Sequence, residues 1–82
     1  MPTDKTNSIS FRVKNASGSI LTIILEPWAN EYTVQPGDEL EVVERGGDPV
    51  EQIGVQAEDA KLIFFARTGS IMSAWRDGRE LP

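Results

Sequence analysis

Turn-forming residues recur about every eight to twelve positions along this chain, and apolar and polar residues alternate between them, the pattern of a β-sandwich or small barrel. A helix would need apolar residues at i, i+3, i+4 and i+7, and no stretch sustains that spacing over three turns. Ser8 to Lys14 shows the strand period at its clearest. Ile9, Phe11 and Val13 fall on one face and Ser10, Arg12 and Lys14 on the other, as in a strand with one wet side. Asn15-Ala16-Ser17-Gly18 then reads as a turn, through residues that tolerate positive φ. Ser19 to Glu26 is apolar on both faces and rich in β-branched residues, so it is expected as a central, covered strand.

Pro27 removes a backbone donor and ends that ladder. Trp28-Ala29-Asn30 connects to a short strand, Glu31 to Val34. Gln35-Pro36-Gly37-Asp38 is a strong turn, with Pro presetting φ and Gly taking the left-handed position. Glu39 to Arg45 follows with Leu40 and Val42 inward, then a loop at Gly46-Gly47-Asp48-Pro49 and a strand from Val50 to Gln56. Ala57 to Asp59 is a polar break. Ala60 to Arg67 and Ser70 to Arg76 are strands flanking Thr68-Gly69, and Asp77-Gly78 turns into a tail.

Register arguments predict two hairpins. Across Gly46 to Pro49, a four-residue loop sets Val42 opposite Ile53 and Leu40 opposite Val55, keeping apolar residues on one face. Across Thr68-Gly69, a two-residue turn sets Phe65 against Met72, whereas a bulge at Gly69 sets Phe64 there; both faces are apolar, so pattern leaves both open. The expected fold is all-β: a seven-stranded antiparallel β-sandwich or flattened barrel, with jelly-roll-like crossing as one form. Residues 1–7 (MPTDKTN) read as a flexible N-terminal tail, and 8–82 as a single β domain.

Size leaves a narrow margin. Burying roughly 8,000 Å², somewhat over half of it apolar, contributes on the order of 115 kcal/mol. Ordering about 75 residues at roughly 1.5 kcal/mol each costs nearly as much. Self-association is a natural source of further stability.

With no Cys there is neither disulfide nor thiol nucleophile, and with no His the commonest metal ligand and general base are missing. No cofactor or metal is expected. The same composition fits a cytoplasmic location. Met1 to Asn7 has no apolar run like that of a signal peptide, and Ile20 to Leu25 is far too short to span a membrane, so no membrane partner is expected. A net charge of −5 opposes nucleic acid. The basic residues near the last turn, Arg67, Arg76 and Arg79, are read as balancing acids on neighbouring strands.

The acids Asp38, Glu39, Glu41, Glu44, Asp48 and Glu51 invite a search for a carboxylate pair. Acid–base work needs one pKa raised by burial across a cleft, and the expectation is instead a solvated, edge-protecting set. No catalytic residue is assigned. Aromatics are more informative. Phe11, Phe64 and Phe65 suit a core, while Trp28, Tyr32 and Trp75 are candidate binding residues, because a flat apolar ring with a polar tip suits a partner chain or a sugar. The function expected is a non-enzymatic protein–protein interaction module, with a homodimer as one form. The alternatives are a carbohydrate-binding module using Trp28 and Tyr32, or a small enzyme using carboxylates only.

Leu25-Glu26-Pro27-Trp28, then Tyr32 and Pro36-Gly37-Asp38, resembles a signature of small bacterial β-proteins in which E-P-W precedes Y-x-x-x-P-G. Thr68-Gly69-Ser70, Trp75-Arg76-Asp77-Gly78 and Leu81 resemble the ending of the same proteins. The likeness covers most of residues 20–81 and implies a bacterial β-domain. That family carries no assigned activity, so no site residue follows from it. The Pro36-Gly37-Asp38 turn is also similar to turns of cupins, whose metal sites use His; here the similarity is architectural.

Overall fold

The computed structural model describes residues 8–82; the tail expected over 1–7 lies outside them. Among the described residues there are eight strands: β1 (Ser8–Lys14), β2 (Leu21–Glu26), β3 (Asn30–Val34), β4 (Glu39–Arg45), β5 (Gly54–Glu58), β6 (Lys61–Phe65), β7 (Ile71–Arg76) and β8 (Arg79–Glu80). They form two four-stranded sheets, ordered β1-β4-β7-β8 and β3-β2-β6-β5. The fold is all-β, as the alternation demanded. The eighth strand arises because Asp77 (φ 52°) and Gly78 (φ 78°) turn the chain back, setting Arg76 opposite Arg79 and Trp75 opposite Glu80. One pairing is parallel, β2 with β6, with Ile23 beside Leu62 and Leu25 beside Phe64.

Period-2 alternation builds the core. In the first sheet Phe11, Val42 and Ala74 form one cross-strand row, and Val13 faces Leu40. In the second, Ile23, Leu25, Val34 and Phe64 point inward, and together with Val13, Leu40, Val42, Met72 and Ala74 they make the buried core. The Phe11 and Phe64 rings meet between the layers with centroids 5.5 Å apart at 50°, within the range of favourable tilted pairs.

Neither predicted register survives. β4 does not pair with the segment after Gly47; β1 and β7 flank it, so Val42 lies opposite Phe11 and Ala74 rather than Ile53. The strand expected over 50–56 begins only at Gly54, and it extends through Ala57 to Glu58, closing the expected break. Val50 instead belongs to a turn in which its amide donates to Asp48 Oδ1 (2.9 Å) and Glu51 N donates to Asp48 O (3.1 Å). β6 and β7 likewise form no hairpin. Thr68-Gly69 lies in a connection between sheets, so Phe64 pairs with Val55 and Met72 with Glu44. An apolar pattern specifies which face a strand buries, and several strands offer matching faces.

The chain changes sheet in the connections after β1, β3, β4 and β6. Asn15 organises two of these. It is 3% exposed, and its Nδ2 donates to Ser19 O and Val34 O, both at 2.8 Å. Its Oδ1 accepts from Ser17 N (3.0 Å) and Ser17 Oγ (2.7 Å). Its backbone accepts from Gly37 N (2.7 Å) and donates to Asp38 O (2.9 Å). The residue is present for these bonds and not for the positive φ expected of it. The second crossing is the predicted Pro36-Gly37 turn, with Gly37 at φ 84° and Asp38 N donating to Gln35 O (3.0 Å).

Asn15→Ala removes both side-chain donors and leaves the Ser19 and Val34 carbonyls without that partner. The expected loss is about 1–3 kcal/mol, read from the urea midpoint. Asn15→Asp, which keeps the acceptor and loses the donors, is expected to be no better.

Candidate functional site

The strands distribute the three candidate aromatics over different surfaces. Trp28 sits in the turn between β2 and β3 and is 40% exposed. Tyr32 lies opposite the fully buried Ile23 and packs against the core, its hydroxyl donating at 3.4 Å to Pro82 O. Tyr32 thus shares the inward face of Ile23, whereas Trp28 lies in the turn. Trp75 is on the outer face of the other sheet, since its neighbour Ala74 is fully buried.

Trp75 belongs to a row that draws one residue from each strand of its sheet: Arg12, Glu41, Trp75 and Glu80. Its indole Nε1 donates to Ser73 Oγ at 2.9 Å, two residues back on the same face. Glu41 accepts from Ser10 Oγ at 2.5 Å, and Arg12 stands 3.6 Å from Glu39. Ser10, Arg12, Glu39, Glu41, Trp75 and Asp77 border an open cleft of about 410 Å³. Sequence reasoning placed Glu39 and Glu41 on a solvated face, where they are. The link to Trp75 was missed, since it needs the β4–β7 register.

Glu44 departs most from expectation. It was grouped with the surface acids, yet it is fully buried, because it continues the inward face of Leu40 and Val42. Arg67 reaches it from the β6–β7 connection: Nη2 donates to Oε1 at 2.6 Å, Nε donates to Oε1 at 2.9 Å, and the Arg67 amide donates to Oε2 at 3.0 Å. The side chains are 9% and 0% exposed for Arg67 and Glu44. Glu51 extends the cluster, accepting from Thr68 N (2.8 Å) and Thr68 Oγ1 (2.7 Å). Asp48 N donates to Thr68 O (3.2 Å), so the two connections are laced together. Arg67 is therefore not part of a basic patch. Arg76, at the far end of β7, donates from Nη2 to Thr33 O (2.7 Å) across the layers.

Burial by itself raises the Glu44 pKa. The hydrogen bonds from the Arg67 side chain and backbone and from Ser70, with the Arg67 charge, outweigh it and hold the carboxyl below its ordinary range. Glu51 is lowered too, chiefly by the Thr68 amide and then its hydroxyl. Both shifts run opposite to what a general acid needs near neutrality. Among the described residues, no three carboxylates gather as a metal site would require.

Comparison with known protein families, curated proteins and solved structures returned no match. The chain is described by its own architecture, a two-sheet β-sandwich closed by a buried ion pair.

A carboxylate with a depressed folded pKa stabilises the fold fully above its unfolded value of about 4.3, and that contribution disappears as pH falls through the lower folded value. The melting temperature is therefore expected to fall below about pH 4. Glu44→Gln leaves the Arg67 charge without its counterion, is expected to cost about 3–5 kcal/mol, and flattens that acid limb. The double replacement Glu44→Met with Arg67→Met restores part of the loss. Gly47 gives an independent check. A Cβ there would lie 2.7 Å from Arg67 Nε and 2.8 Å from Glu44 Oε1, so Gly47→Ala should cost about 1–3 kcal/mol in chemical denaturation.

Proposed function

We propose that this domain is a non-enzymatic protein–protein interaction module that associates with a second copy of itself through the outer face of the β3-β2-β6-β5 sheet. The observation that carries the proposal is the exposure of two large rings at one end of that sheet, Trp28 in the turn after β2 at 40% and Phe65 on β6 at 41%. Glu26 lies opposite Phe65, and Ala66 N donates to Glu26 O at 3.0 Å, so the Trp28 turn leaves from the same sheet end. Ile24 and Ile63 form the adjacent row, half-buried. Rings of this kind dominate contact energies where they are desolvated by a partner.

One pair of opposite charges suits a like partner. Glu26 flanks the rings, and Lys61 lies at the opposite end of β6. A half-turn about an axis running across the strands sets Lys61 of one copy over Glu26 and Phe65 of the other, twice. Two-fold contacts of this self-complementary kind are the commonest in soluble oligomers. Phe65 also has an internal duty, with its ring over Gly54, where a Cβ would meet it at 3.5 Å. Trp28 is the cleaner probe.

Sedimentation velocity over a concentration series is expected to show a monomer–dimer equilibrium. Trp28→Ala and Lys61→Glu should each weaken it roughly tenfold with little change in melting temperature. A strictly monomeric wild-type species at millimolar concentration would overturn the proposal. The alternative of a sugar platform built from Trp28 and Tyr32 together is not favoured, because Tyr32 packs against the core.

A further inference from the structure

We infer that the cleft on the outer face of the β1-β4-β7-β8 sheet binds a neutral, hydroxyl-rich ring, a carbohydrate unit, stacked on Trp75. This goes beyond self-association and uses the opposite face of the molecule. A sugar ring has an apolar side formed by its C–H groups and a rim of hydroxyls, each of which donates and accepts. It is recognised by a flat aromatic surface with both kinds of polar partner around it.

The cleft supplies both. Trp75 is half-buried, and its one polar atom is already satisfied by Ser73. The ring is thereby held in one orientation, and what it offers a ligand is its apolar face. Glu41 stands next to it on β4 and Asp77 lies two residues on in the chain; both are acceptors. Arg12 is a donor and is 79% exposed at its side chain, tied only loosely to Glu39 at 3.6 Å. Ser10 fixes one oxygen of Glu41, which leaves the other free to accept a hydroxyl. The volume, about 410 Å³, lies within the range of small-molecule sites. It is open toward solvent, as a unit within a longer chain would need.

The carboxylates outnumber the guanidinium, so a cation held over Trp75 is the rival occupant. Arg12 decides between them. A positive group within the cleft disfavours a second cation, whereas a ligand of hydroxyls uses Arg12 as readily as Glu41. The Arg12–Glu41–Trp75–Glu80 row sets one donor and two acceptors around the indole, a pattern that suits hydroxyls.

The test uses the full chain, labelled with ¹⁵N. Its two Trp residues give two indole N–H signals, assigned by the loss of one in Trp75→Phe. The probes are glucose, galactose, mannose and xylose with their β-1,4-linked disaccharides, and, separately, arginine and tetramethylammonium. The expected result is a saturable shift of the Trp75 indole and of the Glu41 and Asp77 amides with at least one sugar, at a Kd on the order of 1 mM. The Trp28 indole should stay unmoved. Glu41→Gln should weaken binding roughly tenfold, and Trp75→Ala should abolish it. If Trp75→Ala does not fold, Glu41→Gln and the wild-type titration carry the test. Silence of the Trp75 signal toward every sugar, a response to the cations alone, or sugar shifts that persist undiminished in Glu41→Gln would overturn the inference. Loss of dimerisation without loss of sugar shifts would sink only the self-association reading.

Discussion

The fold depends on holding two sheets face to face while the chain passes repeatedly between them. The hairpins after β2, β5 and β7 stay within one sheet, and the other four connections cross the gap between layers. Backbone at a crossing leaves the ladders, and its donors and acceptors must be met elsewhere. Asn15 and the Glu44–Arg67 pair meet that demand at different crossings. Each ties a connection to a strand or connection it does not adjoin in sequence. The apolar core supplies most of the burial, and these polar stations specify how the layers are aligned.

Glu44 illustrates the cost of such a station. A buried ion pair contributes little net stability over an apolar replacement, but removing one partner is severe. Its placement here has a structural logic. The carboxylate receives three donors from a single residue, two from the guanidinium and one from the backbone. Gly47 lies against the pair because no larger residue fits. The β4–β5 and β6–β7 connections are consequently one unit, with Glu51 and Thr68 as its outer seam.

With the interior devoted to holding the layers together, both proposed modes of recognition use the two outer faces. They differ in chemistry. The β3-β2-β6-β5 sheet has exposed rings at one end, and beside them Ile24 and Ile63 flanked by Glu31 and Gln56. The β1-β4-β7-β8 face sets one guanidinium and two carboxylates in a row around an indole pinned by Ser73. Tyr32 serves neither, as its alternation in β3 turns it inward. Of the aromatics singled out by residue type, Trp28 is exposed and Trp75 borders the cleft.

Local chemistry in the chain determined the class of fold and most strand positions. Alternation in Ile9-Phe11-Val13 and Leu40-Val42, Pro27 after β2, and the Pro36-Gly37 turn all act within a few residues, so they are legible without a partner. Pairing was decided only in three dimensions. A strand such as β4 presents the same apolar face to any suitable neighbour, and the choice of β1 and β7 over the following segment depends on all faces being matched at once. The burial of Glu44 and the row joining Arg12, Glu41 and Trp75 are consequences of that choice. They bring together residues far apart in the chain, and no pattern along it could show them.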